Sequence, residues 1–374
     1  MAEPDRPAYA RRTRYLFLRP QDDGSLLAVS VLKGEEVALD VEQIELLLAI
    51  PADRWVGLET AGEAAAVLEL ARHGLVVTDG ADEELVELRR RDEQLAAPAW
   101  NRYAALYHSQ TRWRGVRAVV AGEAPLPRVP GRWPPLPHFH HVPEPAAVRP
   151  LPVVDPPRPL YDLLRRRKTT RGFDVDAALS LEELATVLRW VWGCHGIHEV
   201  TPELSILKKT SPSGGSQHPG EVYPLVRAVD GIEPGLYHYA VEGHELEQLE
   251  PLTAEAAADL VVELTAGQEH FRAAQVLFLL TARFPRNFWK YQAHAKAYRA
   301  VLFDAAHLSQ TLYLVCADLG LGAFVSGAIN EQDIDRHLGL QAFTEAAILV
   351  CGCGRPIPSE REPPFRPFTP RRRN

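Results

Sequence analysis

The sequence predicts an α+β protein in two units, and three observations lead there. A tract of 13 prolines between Pro125 and Pro159 divides the 374-residue chain, because proline at that density excludes both helix and central strand. The segment before the tract opens on a strand hairpin and continues into helices. The segment after it mixes strand-like and helix-like runs, which gives a sandwich around one sheet. The expected boundaries are 1–115 for a small winged-helix-like module, 116–159 for a proline-rich linker, 160–358 for the main domain, and 359–374 for a basic, proline-rich tail.

In the first unit, TRYLFLRP and SLLAVSVL read as two strands joined by QDDG, with Asp22, Asp23 and Gly24 supplying the turn. Val41 to Ile50 has helical spacing and stops before Pro51. Glu63 to Gly74 is an amphipathic helix ended by its glycine and followed by a short strand, Leu75 to Val77. A hairpin, helices, and a helix running into a strand are the outline of a winged helix. AWNRYAALYHSQTRW then reads as a helix whose aromatic residues pack against the second unit.

In the second unit, SLEELATVLRWVW starts with a capping box, Ser180 with Glu183, and is expected to bury Leu181, Leu184, Val187, Leu188 and Val191 on one face. Strands are expected at Glu221 to Val229 and Gly235 to Ala240, a helix around Thr253 to Ala266, and a strand at Ala274 to Ala282. Ala297 to Leu319 is apolar on nearly all sides, so it reads as a central helix that a second subunit could help to bury. Gly320 ends it, and a last strand, Glu345 to Gly352, precedes GRPIP.

The formal charge of −8 argues against nucleic acid as a partner. The basic clusters at Arg165 to Lys168 and Arg371 to Arg373 are short. Four cysteines form no disulfide framework, which points to a reducing cytoplasm. No apolar run is expected to reach membrane-spanning length, and the N-terminus lacks the apolar core of a signal peptide. HFHH, His138 to His141, sits in the proline tract, and no metal site is assigned to it or to the cysteines.

Four stretches could carry chemistry. In RRRKTTRGFD, an extended backbone would point Arg167, Thr169 and Arg171 the same way, and two guanidiniums flanking a hydroxyl suit a phosphate. In SPSGGSQHP, Ser211 and Ser213 offer hydroxyls, while Gly214 and Gly215 let backbone N–H groups approach a ligand. Lys290 and Tyr291 come just before the long helix; a lysine entering a packed site loses solvation and becomes a base. His307, on that helix, reads as a core histidine. Last, GLGAFVSGAIN reads as a loop after the long helix, with small residues that permit close approach to a flat ring.

Together, RRKTTRGF, SPSGGSQHPGEVY, the run from Trp289 to Ala323 and the closing GRP resemble the flavin-dependent nitroreductase superfamily. More narrowly, they resemble its SagB-type peptide dehydrogenases, which include the azoline oxidases of ribosomal-peptide maturation. The resemblance covers Leu160 to Pro356 and implies a nitroreductase-like fold, bound FMN and a homodimer with flavin sites at its interface. It implies phosphate and ribityl contacts for Arg167, Thr169 and Arg171. It lays Ser211, Pro212, Ser213, Gly214 and Gly215 along the flavin edge. Val325, Ser326 and Gly327 would lie near the reactive nitrogen and Arg355 near the phosphate. Lys290 and Tyr291 match the family's catalytic pair, although neighbours on a regular helix point about 100° apart.

The first unit resembles, in pattern alone, the PqqD-type elements that bind a leader peptide along a hairpin edge. The implied activity is two-electron oxidation of a precursor peptide, azoline to azole or another dehydrogenation, alongside other maturation enzymes. The competing readings are an NAD(P)H-dependent nitro or quinone reductase and a non-catalytic peptide-binding scaffold.

Overall fold

A computed structural model describes residues 6–22, 25–96, 100–117, 139, 146–152, 156–202 and 204–358. The hairpin turn at Asp23 and Gly24, most of the proline tract with the three histidines of HFHH, and the tail lie outside the described residues.

The N-terminal unit runs β1 (Tyr9–Arg12), β2 (Leu16–Pro20), β3 (Leu26–Ser30), β4 (Glu35–Leu39), α1 (Val41–Ala49), β5 (Val56–Gly57), α2 (Ala61–Arg72), β6 (Val76–Thr78) and α3 (Glu83–Ala96). The hairpin forms as β2 and β3, with Phe17 opposite Val29, and β4 adds a third antiparallel strand. A second small sheet has the order β5-β1-β6. Asp40 and Gln43 close a capping box on α1, and Thr60 caps α2. Their apolar faces meet in a core of Leu47, Val67, Leu70 and Leu75. Helix α3 is tied to β1 by Asp92, fully buried, which pairs with Arg11 at 2.5 Å and accepts from Thr13 Oγ1 at 3.0 Å.

Trp100 and α4 (Arg102–Gln110) join the two units. Trp100 Nε1 donates to Phe343 O at 2.9 Å, and the indole meets Phe284 and Phe288 edge-on at 4.8 Å each. His108 bridges Tyr298 Oη and Ala342 O. The expected aromatic packing is therefore carried by Trp100, while Tyr103 and Tyr107 stay exposed. Beyond α4 the chain continues as a strap to residue 117.

The C-terminal unit comprises α5 (Pro159–Arg166), α6 (Leu181–Val191), β7 (Gly196–Thr201), β8 (Leu204–Lys208), β9 (Gly220–Val226), β10 (Gly235–Ala240), β11 (Glu245–Pro251), α7 (Ala254–Leu264), β12 (Val276–Arg283), α8 (Phe284–Tyr291), α9 (Lys296–Asp318), β13 (Gly322–Ser326), α10 (Glu331–Leu338) and β14 (Glu345–Gly354). Six strands form one antiparallel sheet in the order β11-β10-β9-β12-β14-β13. Helices α6 and α9 cover one face, α7 and α10 the other. Central β12 is therefore buried on both sides, which explains its unbroken apolar run. The strap is held by the start of α10: Trp113 N donates to Glu331 Oε2, Gly115 N to Asp333 Oδ2 and Val116 N to Asn330 Oδ1.

Four expectations are corrected here. Leu181, in the first turn of α6, is 47% exposed, while Leu184, Val187, Leu188 and Val191 are buried. Residues 322–326 form a sheet strand rather than a loop. Helix α9 is long and apolar enough to cross a membrane by length and composition, contrary to the reading of the sequence. It lies against the sheet with one face buried, including Asp304, and an outer face that leaves Phe303 57% exposed. His307 is exposed, not in the core.

Candidate functional site

Helix α9 collects most of the expected residues along one side. Asp304, 6% exposed, accepts from Ser213 Oγ at 2.5 Å and from Gly214 N at 3.0 Å. Burial raises its pKa, and those two hydrogen bonds pull it back. One turn on, His307 Nδ1 meets Pro212 O at 3.2 Å. Another turn on, Thr311 Oγ1 and Ser211 Oγ are 2.6 Å apart. Positions 304, 307 and 311 share a helix face, so the whole SPSG segment is docked on α9. The hydroxyls of Ser211 and Ser213 are spent on this docking. The Gly214 N–H is spent there too, and Gly215 O accepts from Gln217 Nε2 at 2.9 Å, so what the loop keeps for a ligand is the Gly215 N–H.

Gly215 has φ +61°, and a Cβ on it would stand 2.5 Å from Tyr291 Oη and 2.6 Å from Lys290 Nζ. Both side chains thus reach the same point although they are neighbours on α8. They sit in the last turn of that helix, which breaks at Gln292 with φ +45°. Lys290 Nζ donates to Gly215 O at 3.1 Å and lies 5.9 Å from the Tyr291 ring centroid. Lys290 is exposed, so the packed, desolvated lysine expected from the sequence is not present.

Near the other end of α9, the Arg167 guanidinium stands 5.1 Å from the ring centroid of buried Tyr313. Thr169 Oγ1 meets Tyr313 Oη at 2.9 Å. Arg167 and Thr169 therefore share a side, as alternation along an extended backbone requires. Thr169 bridges to Ala323, and Arg171 is half-buried two residues further on. Thr170 points the opposite way, against Gly322: a Cβ there would lie 2.6 Å from the threonine methyl, so that strand must carry a glycine. From Asp304 to Tyr313 the rise along the helix is about 14 Å.

The strand pleat separates the remaining expected residues. Val325 packs in the α6–α9 layer. Ser326 faces the other layer, where its Oγ accepts from Gln268 Nε2 at 2.8 Å. Gly327 opens onto free space. Arg355 binds Glu183 Oε2 at 2.8 Å and Ala178 O at 3.4 Å, joining the capping box of α6.

Asp304, Thr311 and Tyr313 escaped the reading of the sequence, although a polar stripe at helical spacing on an apolar helix was its visible sign. Lys209 and His218 were also passed over. Burial lowers the pKa of Lys209, and burial with the nearby Lys209 charge holds His218 at about 4. Among the described residues, no group of three or more His, Cys, Asp and Glu side chains could hold a metal ion.

Residues 164–355 match the model of the nitroreductase family. A nitroreductase-family protein of Methanocaldococcus jannaschii is 31% identical over 199 residues, 53% of this chain and 91% of that relative. The trifolitoxin-processing protein TfxB of Rhizobium leguminosarum bv. trifolii is 31% identical over 143 residues, and this chain spans 38% of its length. Among solved structures, the E. coli microcin synthetase McbBCD complex with truncated pro-MccB17 bound aligns over 72% of this chain and 96% of the matched chain. The identity is 18% and the TM-score 0.48.

Proposed function

The chain belongs to the nitroreductase family of oxidoreductases, and we propose that it is an FMN-dependent dehydrogenase of a ribosomally made precursor peptide. The observation that carries this reading is the meeting of Lys290 Nζ and Tyr291 Oη at Gly215, on a loop docked to α9 through Asp304. The relationship to a trifolitoxin-processing protein supports a role in maturation.

The residues present fit FMN. Arg167 and Thr169, both braced by Tyr313, offer a cation and a hydroxyl for an anionic tail. Gly327 opens onto free space where a flat ring can lie, and the Gly215 N–H is left to meet its edge. FMN bound there supplies two-electron redox chemistry. The protein's part is to hold the substrate and to manage its proton. Lys290 or Tyr291, whichever of the pair is deprotonated, takes the proton that leaves the substrate, and the other donates a hydrogen bond to the charge that develops. The loop anchored by Asp304 fixes the distance between this pair and the ring.

The exposed side of α9 with Phe303, and Trp289 on α8 at 64% exposure, supports a homodimer in which a second copy completes the site. In this reading the N-terminal unit recognises the precursor, and other maturation enzymes act on the same peptide. The test is a purified preparation with a flavin absorbance band that removes two hydrogens from a precursor peptide, located by mass spectrometry. Rapid bleaching by NAD(P)H with quinone turnover, and no change in peptide mass, would overturn it in favour of a nitro or quinone reductase.

A further inference from the structure

A cavity of about 410 Å³ lies between the β7–β8 hairpin and the loop from Ser211 to Ser213. The titratable residues lining it are His198, Lys208, Lys209 and His218, with no carboxylate, in a chain of net charge −8. Ile197 and Ile206 give it an apolar wall. It adjoins a void of about 10 Å³, the room of one oxygen atom, lined by Lys209, His218, Trp192 and Asp304 among others.

Two donors here lack acceptors. Lys209 is half-buried, and among the described residues its Nζ has no hydrogen-bond or ion-pair partner. Trp192 is 1% exposed, and among the described residues its Nε1–H is unpartnered. An orphaned buried donor is costly, so the indole N–H awaits an acceptor, with the half-buried ammonium of Lys209 lining the same void. The neighbouring carboxylates are both taken. Asp304 is occupied by Ser213 and Gly214, and Glu221 on β9 by His238 and Arg283. His218 gives its Nε2–H to Leu207 O. Arg286 of α8 lies close enough to lower the lysine's pKa further, and Cys194 and Glu221 oppose it.

We propose that this cavity binds an acidic side chain of the substrate peptide, with Lys209 as the residue that receives its carboxylate. The inference rests on the peptide reading above and adds what the peptide must carry. The apolar wall takes the stem of the acidic residue, and the ammonium, with the Trp192 N–H behind it, takes the oxygens. Lys209 immediately precedes Thr210 and the SPSGG loop, so an anchored carboxylate positions the neighbouring residue over Gly215.

The chain has six lysines, so acylation by acetic anhydride, mapped residue by residue by mass spectrometry, tests this on the flavin-loaded full chain. Lys209 should react at lower pH than exposed Lys208. The peptide Ac-Ala-Glu-Ala-NH2 should slow acylation of Lys209 at least about fivefold, while Ac-Ala-Gln-Ala-NH2 leaves it unchanged. Equal protection by both peptides, or by neither, overturns the proposal. So does shielding by inorganic phosphate or by FMN alone, which would make the cavity a phosphate site. Lys209→Met should raise KM for an acidic peptide about tenfold and keep kcat, with Lys209→Arg restoring part of the loss. Protection in a preparation that oxidises no peptide would keep the site and discard the reaction. Peptide oxidation without protection would do the reverse.

Discussion

Ser213 is held to Asp304 by a 2.5 Å hydrogen bond, and the adjacent Gly214 N–H joins it at 3.0 Å, so one buried carboxylate fixes the loop to α9. Replacing Asp304 by alanine leaves two donors unsatisfied and should cost about 1–3 kcal/mol. A fall in melting temperature together with weaker flavin retention is expected. Asp304→Asn, which keeps an acceptor oxygen, should recover most of the stability. A fully stable alanine variant with normal flavin content would show that the loop is held by something else.

Lys290→Ala and Tyr291→Phe should each keep the flavin absorbance, since neither supplies the tail contacts. Peptide oxidation should slow by about 10²- to 10⁴-fold, the usual range for a lost proton-transfer group. Single-turnover measurement of flavin bleaching by the peptide separates this from weaker binding. Unchanged rates in both variants would remove the pair from the chemistry.

Arg167→Ala removes the cation stacked on Tyr313. If that cation grips an anionic tail, FMN affinity should drop about ten- to a hundredfold, and the loss should shrink with added salt. Fluorescence titration of the flavin-free protein reads this directly. An unchanged Kd would move the tail elsewhere.

Glu331 gives the strap a pH dependence. Its carboxylate accepts from Trp113 N, and burial pushes its pKa from 4.5 to about 7. Between those values the folded state binds more protons than the unfolded one, so stability should fall as pH rises from about 4.5 to 7. The total is roughly 3 kcal/mol at most. Glu331→Gln keeps an acceptor for Trp113 and cannot titrate, so its denaturation midpoint should be flatter across that window. Parallel profiles would assign the slope to other groups.

Where the fold was legible in the sequence, one physical pattern dominated locally. The Ser180–Glu183 capping box, the alternation of Arg167 with Thr169, and the two-sided burial of β12 all left plain signatures. Helix α3 did not, because EELVELRRRDEQLA is mostly charged and its few apolar positions are enough only beside β6. Strand β11 is a largely exposed edge, and α10 is one short polar stretch around Ile334. Neither shows until its neighbours are in place. The site divided the same way: Lys290, Tyr291 and the glycines stood out by residue type. Asp304 did not, since its role depends on a loop some 90 residues earlier in the chain reaching its side of α9.

Because Asp304, His307, Thr311 and Tyr313 each hold a different part of the site from a single helix, α9 tolerates no change of phase. One residue inserted or deleted between Asp304 and Tyr313 would turn everything beyond it by about 100° and break register with the loop or with Arg167. Length variation in a working protein of this kind should therefore be found outside that segment, in the connections before Lys296 and after Asp318.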